Sequence, residues 1–371
     1  MNKLSVTLFL DNNKRKILNL KKSFPPDFPP FGGIKGGYIM AVTMAEISKL
    51  RTMTGAGMMD CKNALIEAEN DFEKAVEIIR KKGQAVAAKR SDREASEGCV
   101  LAATKGGFAA VLALKCETDF VAKNADFVAL TQSILDVALT QKPRTKEDLV
   151  ALQIGGKSIS DLIVEKIGIT GEKMELDYYE FVEGGSTSAY IHPGNKLATL
   201  VAFAEEKAEY ETIHGVAMHI AAMSPVAIDE SAVPQKVKDN ELTLAIEKTK
   251  TELISKEVEV ALKKAGINPA HVDSEAHIES NMAKGWITAE DAAKAREIKA
   301  TVIAEKSATL PEQKVNNIAA GRMAKFFKEY TLLEQKYEGG GEEAGKITVK
   351  ELLAKKHLTC IAFKRVTLNQ E

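Results

Sequence analysis

Apolar residues recur at two different periods along this chain, and the places where the period changes divide it. From Met44 to about Arg93 the spacing is helical throughout. Ile47, Leu50 and Met53 line one short face, Thr54-Gly55-Ala56-Gly57 breaks it, and Met58, Cys61, Leu65 and Ala68 line a second. Asn70-Asp71-Phe72-Glu73 matches a capping box, with Asn70 accepting from the backbone N–H of Glu73. It opens a third helix that carries Ala75, Ile78 and Ile79 and is expected to stop at Gly83. Three short helices in so few residues make a small bundle with a small core.

Between Gly98 and Pro225 one pattern occurs twice. Val100 to Ala103, then Phe108 to Leu114, then a helix from Asn124 to about Leu139, is echoed by Ser188 to Ile191, Leu197 to Ala204 and a helix from Glu209 to Met223. Each copy is a hairpin whose second strand feeds a helix, so two related α+β units are expected. The corner between strand and helix differs between them. In the first copy it reads Lys115-Cys116-Glu117-Thr118-Asp119-Phe120-Val121-Ala122-Lys123-Asn124, polar groups around one bulky aromatic; in the second it is Glu205-Glu206-Lys207-Ala208. Phe120 either plugs its own core or projects as an anchor into another protein, because interface anchors are disproportionately aromatic. Its lack of a counterpart in the second copy weakens the core-plug reading and leaves both open.

Residues 236–306 are rich in Lys, Glu and Ala. Leu242, Ile246, Leu253, Ile254, Val258 and Ala261 mark one long helix; Gly266-Ile267-Asn268-Pro269 breaks it; Thr288-Ala289-Glu290-Asp291 caps another carrying Ala292, Ala295, Ile298 and Val302. A helical hairpin or short coiled coil inserted into the second unit is expected, a solvated arm without chemistry of its own. Val315, Ile318, Arg322 and Phe326 then mark a helix, and Gly339-Gly340-Gly341 a flexible loop. Thr348-Val349-Lys350-Glu351 is a capping box for a helix through Lys356, and Leu358 to Val366 alternates as a terminal strand that completes the second sheet.

Composition changes this picture mainly by exclusion. The 371 residues carry 51 basic and 52 acidic side chains, so no global charge excess argues for nucleic acid or an anionic membrane as principal partner. The local basic stretch Arg80-Lys81-Lys82, Lys89-Arg90 and Arg93 contains no aromatic to stack on bases and reads as a solvated linker. Cys61, Cys99, Cys116 and Cys360 form no Cys-x-x-Cys pair, so neither a zinc site nor a disulfide framework is expected, and a reducing cytoplasm fits. No apolar run reaches the length of a membrane span. Residues 1–43, rich in Phe, Pro and Gly, lack helical periodicity and a cleavage site; they are expected to be a disordered extension or to precede a true start at Met44.

The search for chemistry is chiefly negative. No P-loop is present, and Gly55-Ala56-Gly57 follows a helix rather than a strand, so it cannot cradle a dinucleotide. His214 and His219 stand about 140° apart around one helix and cannot readily share a metal. His192 falls in the turn Ile191-His192-Pro193-Gly194, where a solvated side chain is ordinary. Cys116 could be imagined as a nucleophile, yet no histidine is placed to activate it, and a buried thiol fits better. Neither cofactor, metal nor catalytic residue is expected. Such a chain reads as one whose work is binding another protein.

Four segments carry a resemblance to a known family. Thr54-Gly55-Ala56-Gly57-Met58-Met59-Asp60-Cys61-Lys62-Asn63-Ala64-Leu65 and Cys116-Glu117-Thr118-Asp119-Phe120-Val121-Ala122-Lys123-Asn124 resemble the two signatures of the elongation factor Ts family. Ala217-Met218-His219-Ile220-Ala221-Ala222 and Gly321-Arg322-Met323-Ala324-Lys325-Phe326 are similar to further family segments. The resemblance runs from Met44 to about Val366. It implies guanine nucleotide exchange on the GTPase elongation factor Tu, without enzymatic chemistry of its own. It also implies an α+β fold: a ubiquitin-associated-like helical module (44–96), a first core unit (97–185), a second (186–235 and 307–371) and a helical hairpin (236–306). Thr118, Asp119, Phe120 and Val121 would enter the partner beside its magnesium and nucleotide. Arg51, Met58 and Met59, the pair Ile167-Gly168, and His192 would make further contacts. Direct nucleic-acid and membrane partners are not implied, and a homodimer is left open. The alternatives are a ubiquitin-associated-like adaptor or RNA-associated scaffold, supported by the basic stretch, and an enzyme using Cys116.

Overall fold

The computed structural model describes residues 42–368; the expectations for residues 1–41 fall outside them. The chain divides at Ile79/Arg80 into two compact units.

In the first unit, α1 (Met44–Thr54) ends where Gly55 takes a left-handed conformation, and α2 (Met58–Glu67) follows at once. Ile47, Leu50, Cys61, Ala64, Leu65 and Ala75 are buried together. Met53 and Met58, expected on these apolar faces, are exposed instead. The cap of α3 (Phe72–Lys89) also differs: the Asp71 carboxylate, not Asn70, accepts from the N–H groups of Glu73 and Lys74. Asn70 has positive φ and donates its N–H to Leu65 O, closing the preceding helix, so its backbone is already committed. Nor does α3 stop at Gly83.

The second unit begins within α3 and continues as β1 (Glu97–Lys105), β2 (Phe108–Cys116), the single turn α4 (Asp119–Ala122) and α5 (Ala125–Gln141). Then come α6 (Lys146–Ala151), the two-residue strands β3 (Gln153–Ile154) and β4 (Lys157–Ser158), α7 (Ile159–Thr170) and β5 (Met174–Glu183). Gly83 explains why α3 runs on: a Cβ there would lie 3.2 Å from Val164 O of α7, and one on Gly168 only 2.8 Å from the Gly83 Cα. Two glycines let the helix backbones meet, which outweighs the roughly 1 kcal/mol a helical glycine costs. The basic stretch is accordingly helix through Lys89, with Arg80 paired to Asp161 and Arg90 to Glu117, rather than a solvated linker.

The second half of this unit is β6 (Ser186–Ile191), β7 (Leu197–Phe203), α8 (Tyr210–Met223), α9 (Gln235–Lys264), α10 (Glu275–Ala283), α11 (Ala289–Thr309), α12 (Glu312–Tyr330), α13 (Val349–Lys355) and β8 (Cys360–Thr367). Two antiparallel three-stranded sheets result, ordered β1-β2-β5 and β6-β7-β8. The duplication therefore includes a third strand in each copy, and β5, which no sequence pattern announced, is the counterpart of β8.

Strand periodicity sets the layers. Phe108, Ala110, Leu112 and Leu114 of β2 pack with Phe127, Ile134 and Leu135 of α5 and with Ile159, Ile163 and Ile167 of α7. The alternate residues Ala109, Val111 and Ala113 meet Ala198, Leu200 and Ala202 of β7. Beyond β7, Val201 and Phe203 face Ile213, Val216 and Ile220 of α8. The order is helices, sheet, sheet, helices, and the central strands read as unbroken apolar runs because both their faces are covered.

The arm keeps most of the expected face, with Val258, Ala292 and Ala295 buried and Ile254, Ile298 and Val302 packed against them. Its buried stripe on α9 runs through Ala245, Thr249, Val258 and Leu262, while Leu242 is exposed. α9 packs on both α11 and α12, and a small core of Val258, Leu262, Ile267, Val272, Ile278 and Ile287 closes its far end. The loop 339–341 is pinned at one side: Gly339 lies so close to α8 that a Cβ would meet Gly215 O at 1.9 Å.

Candidate functional site

The corner after β2 is built by side chains that hold its backbone and leave one ring outside. β2 ends at Cys116, whose thiol donates to Thr118 O at 3.2 Å. Thr118 is extended and N-caps α4, its hydroxyl accepting from Val121 N–H at 3.5 Å, while Ala122 N–H donates to Thr118 O at 3.1 Å. Ala122 is buried and Val121 half-buried against the first core. A helical turn that commits those two apolar residues inward sends the one between cap and core outward. Phe120 is 84% exposed. The core-plug reading of Phe120 is thereby excluded.

Two carboxylates brace this turn. Glu117 accepts Lys173 N–H at 2.7 Å and Arg90 Nη1 at 2.9 Å, with Arg93 at 3.9 Å. The Lys173 N–H first, and then the Arg90 guanidinium, hold its carboxyl below the usual range. Glu172 accepts both the N–H and the hydroxyl of Thr118, at 3.1 and 2.7 Å. Residues 117–118 and 172–173 thus exchange hydrogen bonds across the gap between corner and β5. Asp119 pairs with Lys123 at 2.8 Å, and that hydrogen bond lowers its pKa, keeping it ionised near neutrality.

The other expected contacts are scattered. Ile167 is only 5% exposed, a core residue of α7, and Gly168 is committed to Gly83. His192 is exposed in the β6–β7 turn, 3.0 Å from the Tyr190 hydroxyl. In the first unit Arg51 is exposed and Met59 is 63% exposed, in the company of exposed Met44, Met53, Met58 and Ile66.

Of the other suspected chemistry, little survives. Cys116 is fully buried and burial pushes its thiol up to about 12, so it cannot supply a thiolate near pH 7. His219 is buried, its Nδ1 accepting Glu338 N–H and its Nε2 facing Gln335 Oε1, each at 3.0 Å. Arg322 bridges α12 to Glu252 of α9 at 2.5 Å. His219 and Arg322, both within resembling segments, serve packing. Among the described residues no group of three or more His, Cys, Asp or Glu could hold a metal, and no helix is long and apolar enough to cross a membrane. The hold that Arg90, Glu172 and Lys173 have on the corner was missed by sequence reasoning, because no local pattern announces contacts 27 to 56 residues apart.

Residues 117–370 match the family model described as Elongation factor TS. A protein of Phocaeicola vulgatus named Elongation factor Ts is 63% identical over 335 residues, 90% of this chain and 100% of the relative. Proteins of the same name from Porphyromonas gingivalis, 48% identical over 335 residues, and Azobacteroides pseudotrichonymphae, 42% over 334, cover the same shares.

Proposed function

The chain belongs to the elongation factor Ts family, and we propose that it performs nucleotide exchange on elongation factor Tu by presenting the corner Thr118–Val121 to the GTPase. The observation that carries this reading is the exposure of Phe120 on a turn whose neighbours on both sides are held in place. A large ring carried on a turn already held in the free protein costs less backbone entropy to dock, which suits an interface anchor.

In this proposal Phe120 wedges between elements of the partner beside its magnesium. Asp119, ionised and exchanging Lys123 for groups of the partner, disturbs the polar network that holds the cation. A diphosphate that loses its bridging cation is less well neutralised, and its affinity falls. Neither a bound metal nor covalent chemistry of the factor itself is required. It must bind the nucleotide-free GTPase more tightly than the GDP-bound one, and linkage then makes it weaken GDP by the same factor. The exposed face of Arg51, Met58 and Met59 and the turn carrying His192 supply further contacts, adaptable thioethers suiting the first. Ile167 and Gly168 contribute by holding α7 against the corner's own core. The reaction belongs in the cytoplasm, where GDP-bound elongation factor Tu is converted so that GTP can be loaded, with neither RNA nor a membrane as the direct partner and a homodimer left open. Arg90 is spent on Glu117, which removes part of the support for an RNA scaffold.

Release of a fluorescent GDP analogue from elongation factor Tu, followed by stopped flow, tests the proposal. Substoichiometric protein should accelerate release; an unaltered rate refutes it.

A further inference from the structure

The two copies of the core treat their corners differently, and the difference isolates one residue. After β7, Glu205 accepts Thr359 N–H at 2.9 Å, immediately before β8, as Glu117 accepts Lys173 N–H immediately before β5. A glutamate that ties the end of the central strand to the residue before the third is thus present in both units, one residue past β2 and two past β7. The second brace is not common. Glu172 stands two residues before β5, and the corresponding position before β8 is Leu358, a buried apolar residue that packs with Phe203 and Leu353. The second copy's other corner carboxylate, Glu209, instead meets Thr212 and Lys356, so a carboxylate on the residue two before the third strand occurs only in the copy whose corner carries the exposed aromatic.

We propose that Glu172 is a positioning residue for exchange: its carboxylate fixes Thr118, and through that cap the turn that presents Phe120. This rests on the corner being the exchange element. Both oxygens of Glu172 are used, one on the Thr118 N–H and one on the hydroxyl. That hydroxyl is the same one that caps the single turn α4, which has too few residues to be stable by itself. Bonds to a charged acceptor are stronger than neutral ones, so a single carboxylate can hold a turn of four residues. Glu172 touches neither Phe120 nor Asp119 among the described contacts; it acts only through Thr118. Without it the turn would sample other conformations, and each encounter with the partner would first have to select the productive one.

The test compares Glu172→Ala, Glu172→Gln, Phe120→Ala and the double variant Phe120→Ala/Glu172→Ala in the same GDP-release assay, each with a thermal melt. Glu172→Ala should slow exchange at least about tenfold, since it removes two charge-assisted hydrogen bonds and about tenfold corresponds to the loss of one in the productive conformation. Glu172→Gln, which keeps one accepting oxygen, should fall between it and the parent. The double variant should be slower than Phe120→Ala alone by far less than the factor Glu172→Ala costs in the parent, because only Asp119 is left on the turn to place. A purely structural glutamate would not give that non-additivity. If Phe120→Ala is slow while both Glu172 variants exchange like the parent, this inference is overturned and the corner reading stands. If the losses multiply in the double variant, Glu172 acts elsewhere and the inference again fails. If Phe120→Ala itself exchanges normally, the corner reading falls and takes this one with it.

Discussion

Replacing Phe120 by Ala separates presentation of the ring from stability of the fold. With 84% of the residue exposed, the ring buries on the order of 30 Å² of the roughly 200 Å² it would lose in a core. At about 25 cal/mol per Å² this is under 1 kcal/mol. In a unit of this size the melting temperature should fall by no more than about 3 °C. The effect on exchange should be much larger. A central aromatic anchor at a protein interface is commonly worth about 2 kcal/mol or more, so GDP release at subsaturating factor should slow by at least about 30-fold. Stopped-flow release of a fluorescent GDP analogue measures the rate, and a calorimetric or circular-dichroism melt measures the fold. Exchange within about twofold of the parent, with an unchanged melt, would falsify the wedge. A melting temperature lowered by 10 °C or more would show that the ring stabilises the protein in a way its exposure denies.

Further outcomes follow from neighbouring sites. Cys116→Ser should retain most exchange activity, because the buried thiol only donates to Thr118 O; abolished activity with an intact melt would reinstate the nucleophile. Gly168→Ala should cost about 1–3 kcal/mol, since its Cβ would lie 2.8 Å from the Gly83 Cα, and a denaturant midpoint equal to the parent's would refute that close crossing. Burial depresses the pKa of His219 below its ordinary 6.5, so on acidification the unfolded chain takes up a proton that the folded one refuses. The stability His219 supports is therefore full above about pH 6.5 and falls below it, by at most about 1.4 kcal/mol per pH unit. Unfolding between pH 7 and 5 should show this slope, His219→Gln should flatten it, and an equal slope in both proteins would contradict the assignment. Thr348→Ala removes the hydroxyl of a complete capping box with Glu351 and should cost about 1 kcal/mol; no change in the melt would mean that the cap is redundant.

Local chemistry determined most of the elements of this protein. The Thr288 and Thr348 caps, the apolar runs of β2 and β7 and the repeated hairpin-to-helix pattern depend on residues a few positions apart, and the structure has them where the sequence placed them. The corner stood out for the same reason: an aromatic amid polar groups, present in one copy and absent in the other. Tertiary contact decided the rest. Gly83 ends no helix because a second helix arrives against it, Asp71 caps where Asn70 was expected because Asn70's own N–H closes α2, and β5 is a strand because β2 offers it an edge. Whether Phe120 faced inward or outward could not be settled from spacing, since one helical turn can turn either face to a core. That choice was made by Val121 and Ala122 packing inward and by Glu172, 54 residues from Thr118 in sequence, holding the cap. A hydrogen bond of that span leaves no trace in the local pattern, because neither partner's neighbours need change to make it.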